Sequence, residues 1–248
     1  PEGFTHVPYN DLDAMAEAID TTTVALMVEP IQGEGGVVVP DKDYLPGLRA
    51  LCDEHDLVLI IDEVWTGGGR TGQWFAHQHF DVTPDIMTLA KGVGGGLPVG
   101  VMCAGDRVAD LYDVHKQGGV KHATTLGGNC LGMAAGAAIF EVIERDGLLD
   151  HARALNEQIR ERMAGNDRPA GVVDVRGLGA FIGIELNLDA FGLDSVSPLV
   201  HEALDKGLMV GSAQGRIIRL APPLTLTESQ LSEGLDTLVE LLETKGAS

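Results

Sequence analysis

From Val58 to Asp62 the chain reads VLIID, four apolar residues in unbroken succession closed by a carboxylate. A strand with no polar alternation is buried on both faces, the condition of an inner strand in a parallel sheet covered by helices. Parallel strands need crossovers, and the flanking sequence supplies them. A short amphipathic helix is expected from Asp11 to Ile19, a β-rich run from Thr23 to Val28, and a helix from Tyr44 to His55 with Leu45, Leu48 and Leu51 on one face. Weaker strands are expected at Ile86 to Leu89 and Gly100 to Cys103. With right-handed crossovers, residues just past the carboxyl ends of the strands gather along the edge where such sheets bind ligands. Glu29, Asp62 and Lys91 hold those positions.

A small-residue helix from Leu131 to Ile143 then leads through ERDG into a polar helix, Leu149 to Met163. Short strands at Val172 to Val175, Phe181 to Leu186 and Ile217 to Leu220, a helix from Pro198 to Lys206 and a closing helix from Thr227 to Leu242 change the pattern to α+β. Thr227 and Gln230 form a capping-box pair for the last helix. The expected division is therefore a larger α/β domain over residues 1–145 and a small α+β domain over 146–248.

Charge narrows the partners. The balance of 37 acidic against 17 basic residues, net −20, disfavours nucleic acid and anionic membrane surfaces. Aspartate-rich, lysine-poor composition suits a salt-rich setting as well as an ordinary acidic enzyme. No apolar run approaches the roughly 20 residues that span a bilayer. Cys52, Cys103 and Cys130 have neither disulfide-framework nor zinc spacing, and fit a reducing compartment. His77 and His79, an H-x-H in FAHQHF, would share one face of a strand, but no third ligand is nearby and no metal is expected.

Several stretches can carry chemistry. In TLAKGVGGGLPVG, Lys91 is either a surface lysine or, among Leu89, Val93, Leu97 and Val99 and glycines that admit a close ligand, an amine able to lose its proton and attack an aldehyde. In IIDEVWTGGGRTG, Asp62 either caps the turn or faces a pyridine nitrogen and keeps it protonated; Arg70 is expected to pair with a scaffold carboxylate. Glu34, amid the glycines of EPIQGEGG, is a solvated turn residue or gates a cationic group. The vicinal Thr124 and Thr125 of HATTLGGN, ahead of a helix, suit a phosphate. Arg219, in RIIRLAPPL, is a solvated strand arginine or seeks a planar carboxylate.

Together EPIQGEGG, IIDEVWTGGGRTG, PDIMTLAKGVGGGLPVG, TTLGGN and IIRLAPPL resemble, in order and interval, the class III (ornithine-type) aminotransferases of fold type I, which use pyridoxal 5′-phosphate (PLP). The glycine-rich lysine segment is most similar to the acetylornithine branch. The resemblance implies that Lys91 is the Schiff-base lysine and proton carrier, Asp62 the partner of the pyridinium nitrogen, and Val64 the side chain on the ring face. It implies that Thr125 reaches the phosphate of a neighbouring subunit in a homodimer and that Thr124 lies beside substrate. Arg219 is implied for the substrate α-carboxylate, with Glu34 masking it when the other substrate is bound. Trp65 stands where many relatives have a glutamine near the ring hydroxyl; an indole there donates one N–H or packs. The implied activity is transamination between N-acetylornithine, or a similar terminal-amino donor, and 2-oxoglutarate in the cytoplasm. Ornithine, 4-aminobutyrate and a carrier-bound lysine are the alternative donors, and an inactive structural fragment is the alternative from another class. Opening on PEGFTHVPYN without an initiator methionine, the chain is expected to be the carboxyl-terminal part of such an enzyme, its phosphate loop, ring-stacking aromatic and distal arginine lying before Pro1.

Overall fold

The computed structural model describes residues 2–246; Pro1, Ala247 and Ser248 lie outside them. The chain divides into two compact units, the first made of Pro1–Pro30, Pro40–Gly68 and Phe75–Val142, the second of Ile31–Val39, Gly69–Trp74 and Ile143–Ser248.

In the first unit the elements run α1 (Leu12–Ala18), β1 (Ala25–Val28), α2 (Tyr44–His55), β2 (Val58–Asp62), β3 (Ile86–Leu89), β4 (Val101–Ala104), α3 (Asp106–Ala109), α4 (Val114–Gln117) and the start of α5 (Cys130–Arg145). The sheet order is β1-β2-β3-β4, the first three strands parallel and β4 antiparallel to β3. β4 reverses direction because the glycine-rich link after β3 holds no crossover helix, which a parallel return needs. α2 packs Tyr44, Leu45, Leu48 and Cys52 against Leu26, Val28, Leu59 and Ile61 of the central strands. It stops at Asp56, whose φ of 55° turns the chain into β2 while Leu57 N–H bonds back to Cys52 O. Asp85 ties the strands: its carboxylate accepts from Leu59 N–H at 2.8 Å and from Arg49 at 2.9 Å.

The second unit holds the end of α5, then α6 (Leu148–Ala164), β5 (Val172–Leu178), β6 (Phe181–Leu186), α7 (Ser197–Asp205), β7 (Gly211–Ala213), β8 (Ile217–Leu220) and α8 (Glu228–Gly246). Its sheet, β5-β6-β8-β7, is antiparallel throughout. Ile182, Ile184 and Ile218 face a core closed by Leu155, Ile159 and Met163 of α6 and by Leu235, Leu238 and Leu242 of α8. Thr227 and Gln230 make the reciprocal cap of α8, with Gln230 N–H on Thr227 Oγ1 at 3.3 Å and Thr227 N–H on Gln230 Oε1 at 3.0 Å.

Three local expectations change. The H-x-H segment is a 3₁₀ turn, Ala76–Phe80, because its backbone N–H groups are taken by a carboxylate and not by a neighbouring strand. Arg70 pairs with no carboxylate among the described residues; its guanidinium donates to the carbonyls of Ala180 and Pro222, and burial pushes its pKa down. β7, made of Gly211, Ser212 and Ala213, carries no β-branched residue that would announce a strand.

Candidate active site

In the first unit, β2 ends on Asp62 opposite Thr88 of β3. One carboxylate oxygen, Oδ1, accepts Val64 N–H at 2.9 Å and the Thr88 hydroxyl at 3.3 Å. The other, Oδ2, accepts no hydrogen bond among the described residues, so the carboxylate is held by one oxygen and presents the second. The turn after Asp62 lies close on β3: Glu63 N–H bonds Thr88 O at 2.9 Å, and a Cβ on Gly67 would stand 2.5 Å from Leu89 Cδ2. Only a glycine permits that approach, which leaves Val64 and Trp65 half-buried beside the strand ends.

Lys91 follows β3 at the start of a 3₁₀ turn, Lys91–Gly94, with a φ of 51°. A left-handed backbone costs a residue with a Cβ about 1 kcal/mol and persists where the surroundings enforce it, commonly at functional positions. Val93 turns inward beside Met87 and Leu89, while Lys91 stays exposed with Nζ 3.9 Å from the centre of the Trp65 ring. Adding a Cβ at Gly92 or Gly96 meets nothing within 4 Å, so open space flanks the lysine.

Sequence reasoning missed the residue next to Asp62. Glu63 is 1% exposed, and its carboxylate accepts the Thr66 hydroxyl, Ala76 N–H at 2.9 Å, His77 N–H at 2.8 Å and His77 Nδ1 at 3.0 Å. Four donors on one buried carboxylate fix the turn that aims Asp62. No spacing rule reveals such a role; the signal available was a second acid at the end of a buried strand. The threonine segment lies just before α5, whose first turn is capped by Asn129 Oδ1 on Gly132 N–H at 3.1 Å. Thr124 and Thr125 are both exposed.

In the second unit, strand register sets Arg176, Gly183, Arg219 and Gly211 side by side across β5, β6, β8 and β7. Paired residues share a face, so two arginines stand apart with a glycine beside each. The segment 31–39 lies over this row: a Cβ on Gly183 would sit 3.1 Å from both Gly36 O and Val37 Cβ. Arg176 Nε donates to Gly36 O at 3.0 Å, Gln214 Nε2 to Glu34 O at 3.1 Å, and Arg219 Nη1 to Glu34 Oε1 at 2.9 Å. In the last pair the Arg219 side chain is 12% exposed and that of Glu34 72%, so the glutamate is the partner free to swing away.

The family model for class III aminotransferases fits residues 4–242. The acetylornithine aminotransferase of Caldanaerobacter subterraneus subsp. tengcongensis is 42% identical over 241 residues, 97% of this chain and 58% of that protein. Among solved structures, the ornithine aminotransferase of Toxoplasma gondii, crystallised with partial occupancy of PLP at its active site, superposes with a TM-score of 0.87 and 30% identity over 100% of this chain and 57% of its own. The acetylornithine aminotransferase of Elizabethkingia anophelis gives a TM-score of 0.86 and 34% identity over 97% and 60%. The chain spans about three fifths of the length of the proteins it matches. Its fold is that of the fold-type I PLP-dependent enzymes, and the chain belongs to the class III aminotransferase family.

Proposed function

We propose that this protein transfers an amino group from a terminal-amino donor of the N-acetylornithine type to 2-oxoglutarate, with PLP as cofactor. The observation that carries the reading is Asp62 and Lys91 at the carboxyl ends of adjacent parallel strands, the carboxylate anchored by Oδ1 and presenting Oδ2. The residues suit the group: a presented carboxylate for a pyridinium nitrogen, a half-buried Val64 for a ring face, open space beside Lys91, and an exposed Thr125 hydroxyl for a phosphate. When bound, the cofactor supplies an aldehyde carbon for an amine and a protonated ring that accepts electrons from the substrate carbon.

Each side chain then has a task. Asp62 keeps a positive ring nitrogen in place, Val64 packs on the ring, and Trp65 lies beside the lysine. Lys91 Nζ would hold the cofactor aldehyde at rest and, as a free amine, would take the proton from the substrate carbon and give it up again within the same transfer. Arg219 receives a substrate α-carboxylate; Glu34 neutralises it when the donor is bound and swings out for 2-oxoglutarate. We place the phosphate contact of Thr125 in a second copy of the chain, making a homodimer, with Thr124 facing substrate; the exposure of both threonines supports this. Three unpaired cysteines, two of them exposed, support a reducing, cytoplasmic setting. Residues 1–145 and 146–248 are proposed as the cofactor-binding portion and the small domain.

The test is PLP titration followed by borohydride reduction and peptide mapping. The expected result is a visible band that borohydride bleaches, leaving a pyridoxyl label on Lys91; Lys91→Ala should lose both that label and all turnover. A label on another lysine, or normal turnover in the variant, removes the proposal. Profiling N-acetylornithine against ornithine, 4-aminobutyrate and a carrier-bound lysine assigns the donor.

A further inference from the structure

We infer that Trp65 is a positioning residue for Lys91: the indole face is the seat of the lysine ammonium whenever that amine is not joined to the cofactor. Lys91 Nζ lies 3.9 Å from the Trp65 ring centre, within the range of a cation–π contact. The backbones that carry the two side chains are both constrained. Trp65 stands in the tight turn held by Glu63 and laid on β3 through Gly67, and Lys91 is held by its left-handed backbone.

The chemistry gives the contact a use. An amine that carries a proton from one carbon to another must spend part of each cycle as a free cation close to its target. The Lys91 side chain is exposed on a long four-carbon stem, and an ammonium not held near its target would have to find its position again at every transfer. An aromatic face holds a cation without donating or accepting a proton, so it fixes the amine without competing for what it carries. A glutamine at this place could hydrogen-bond a ring substituent but offers no face to the ammonium. The inference rests on Lys91 being the cofactor lysine.

The test uses protein labelled with 5-fluorotryptophan, read by fluorine NMR before any cofactor is added. Trp65 and Trp74 are the tryptophans of this chain, and Trp65→Phe assigns the resonance. Lys91→Met should move the Trp65 signal and leave that of Trp74 in place, which also reports that the variant is folded; Lys91→Arg, keeping a cation, should leave both near their wild-type positions. Adding PLP to wild type should move the Trp65 signal as the amine is withdrawn. In steady state, Trp65→Gln should lower kcat about 2- to 5-fold with KM for both substrates unchanged, the size of one exposed cation–π contact, and Trp65→Phe should recover most of it. A Trp65 signal indifferent to Lys91→Met in folded protein overturns the inference even if PLP binds. A signal that responds to Lys91→Met in protein that takes up no PLP instead rejects the proposed function.

Discussion

Asp62 shows how a single side chain is divided between structure and chemistry. Oδ1 serves the fold by accepting Val64 N–H and the Thr88 hydroxyl, while Oδ2 accepts no hydrogen bond among the described residues and, on the proposed function, faces the cofactor ring. Asparagine in its place can keep the first job, since its amide oxygen accepts both bonds, but its NH₂ cannot hold a pyridinium proton. Asp62→Asn is therefore expected to unfold within about 1 kcal/mol of wild type, as a change away from the core does, while turnover falls by about 10²-fold or more, the cost of removing a preorganised electrostatic contact. Urea titration and steady-state kinetics separate the two; a parallel loss of stability and activity would make Asp62 a turn cap. At this scale the sequence was informative about placement: Asp62 closes β2, Lys91 follows β3 and Arg219 lies in β8 beside Glu34, as the strand patterns suggested. It was blind to Glu63, whose four donors come from residues 66 to 77, and to the partners of Arg70, which are carbonyls more than 100 residues away. Backbone acceptors have no side-chain signature.

Within the second unit, elements meet through a contact that only a small residue allows. Gly183 lies between Arg176 and Arg219 in the sheet, and its missing Cβ leaves room for Gly36 and Val37. Gly183→Val should push the 31–39 segment off the sheet, destabilise the protein by about 1–3 kcal/mol through overpacking, and separate Glu34 from Arg219. Glutarate, a two-carboxylate probe, would then bind more tightly by calorimetry because Arg219 is unmasked; unchanged binding with unchanged stability would show that the segment yields freely. A second element-level contact is Asp85, joining β2, β3 and α2. Burial pushes its pKa up, but the Leu59 N–H and the Arg49 guanidinium outweigh that and hold it below the usual carboxylate range. A lowered folded pKa means stability present above the unfolded value of about 4 and lost as pH falls through the folded one. Asp85→Asn should thus cost about 1–2 kcal/mol at pH 7 and progressively less in acid, where wild type loses the same contribution; a pH-independent difference would show packing, not charge. The strands themselves were legible where apolar periodicity was strong, as in VLII and the alternating Phe181 to Leu186. Periodicity failed at β7, where glycine, serine and alanine have no preference to reveal, and at the H-x-H turn, where a buried carboxylate captured the backbone.

For the molecule as a whole, chain order and compact units do not coincide. Chain continuity alone suggested one boundary near residue 145, yet the second unit also takes in 31–39 and 69–74, the latter halves of two motifs that looked continuous. Periodicity reports which face of an element is apolar and nothing about which distant loop completes a neighbour's hydrogen bonds. Within the second unit those loops have obligatory work. Ala180 N–H bonds Arg70 O at 2.9 Å, Arg153 donates to Gly72 O, and Arg176 donates to Gly36 O at 3.0 Å. Gly179, with a φ of 54°, approaches so closely that a Cβ there would lie 2.3 Å from the Thr71 carbonyl carbon. A polypeptide of residues 143–246 alone would strip all these partners, leave Arg219 without Glu34, and uncover Ile217 on the face that Gly36 covers. The buried Ala180 N–H left without its acceptor costs about 1–3 kcal/mol, and the lost packing of 31–39 on the sheet adds to it, a large share of a total of about 5–15 kcal/mol. The isolated piece is accordingly expected to keep helical far-ultraviolet dichroism while losing near-ultraviolet signal and a cooperative urea transition. Cooperative unfolding at the midpoint of the full chain would show instead that the helices and the β5-β6-β8-β7 sheet are sufficient and that the two loops are passengers.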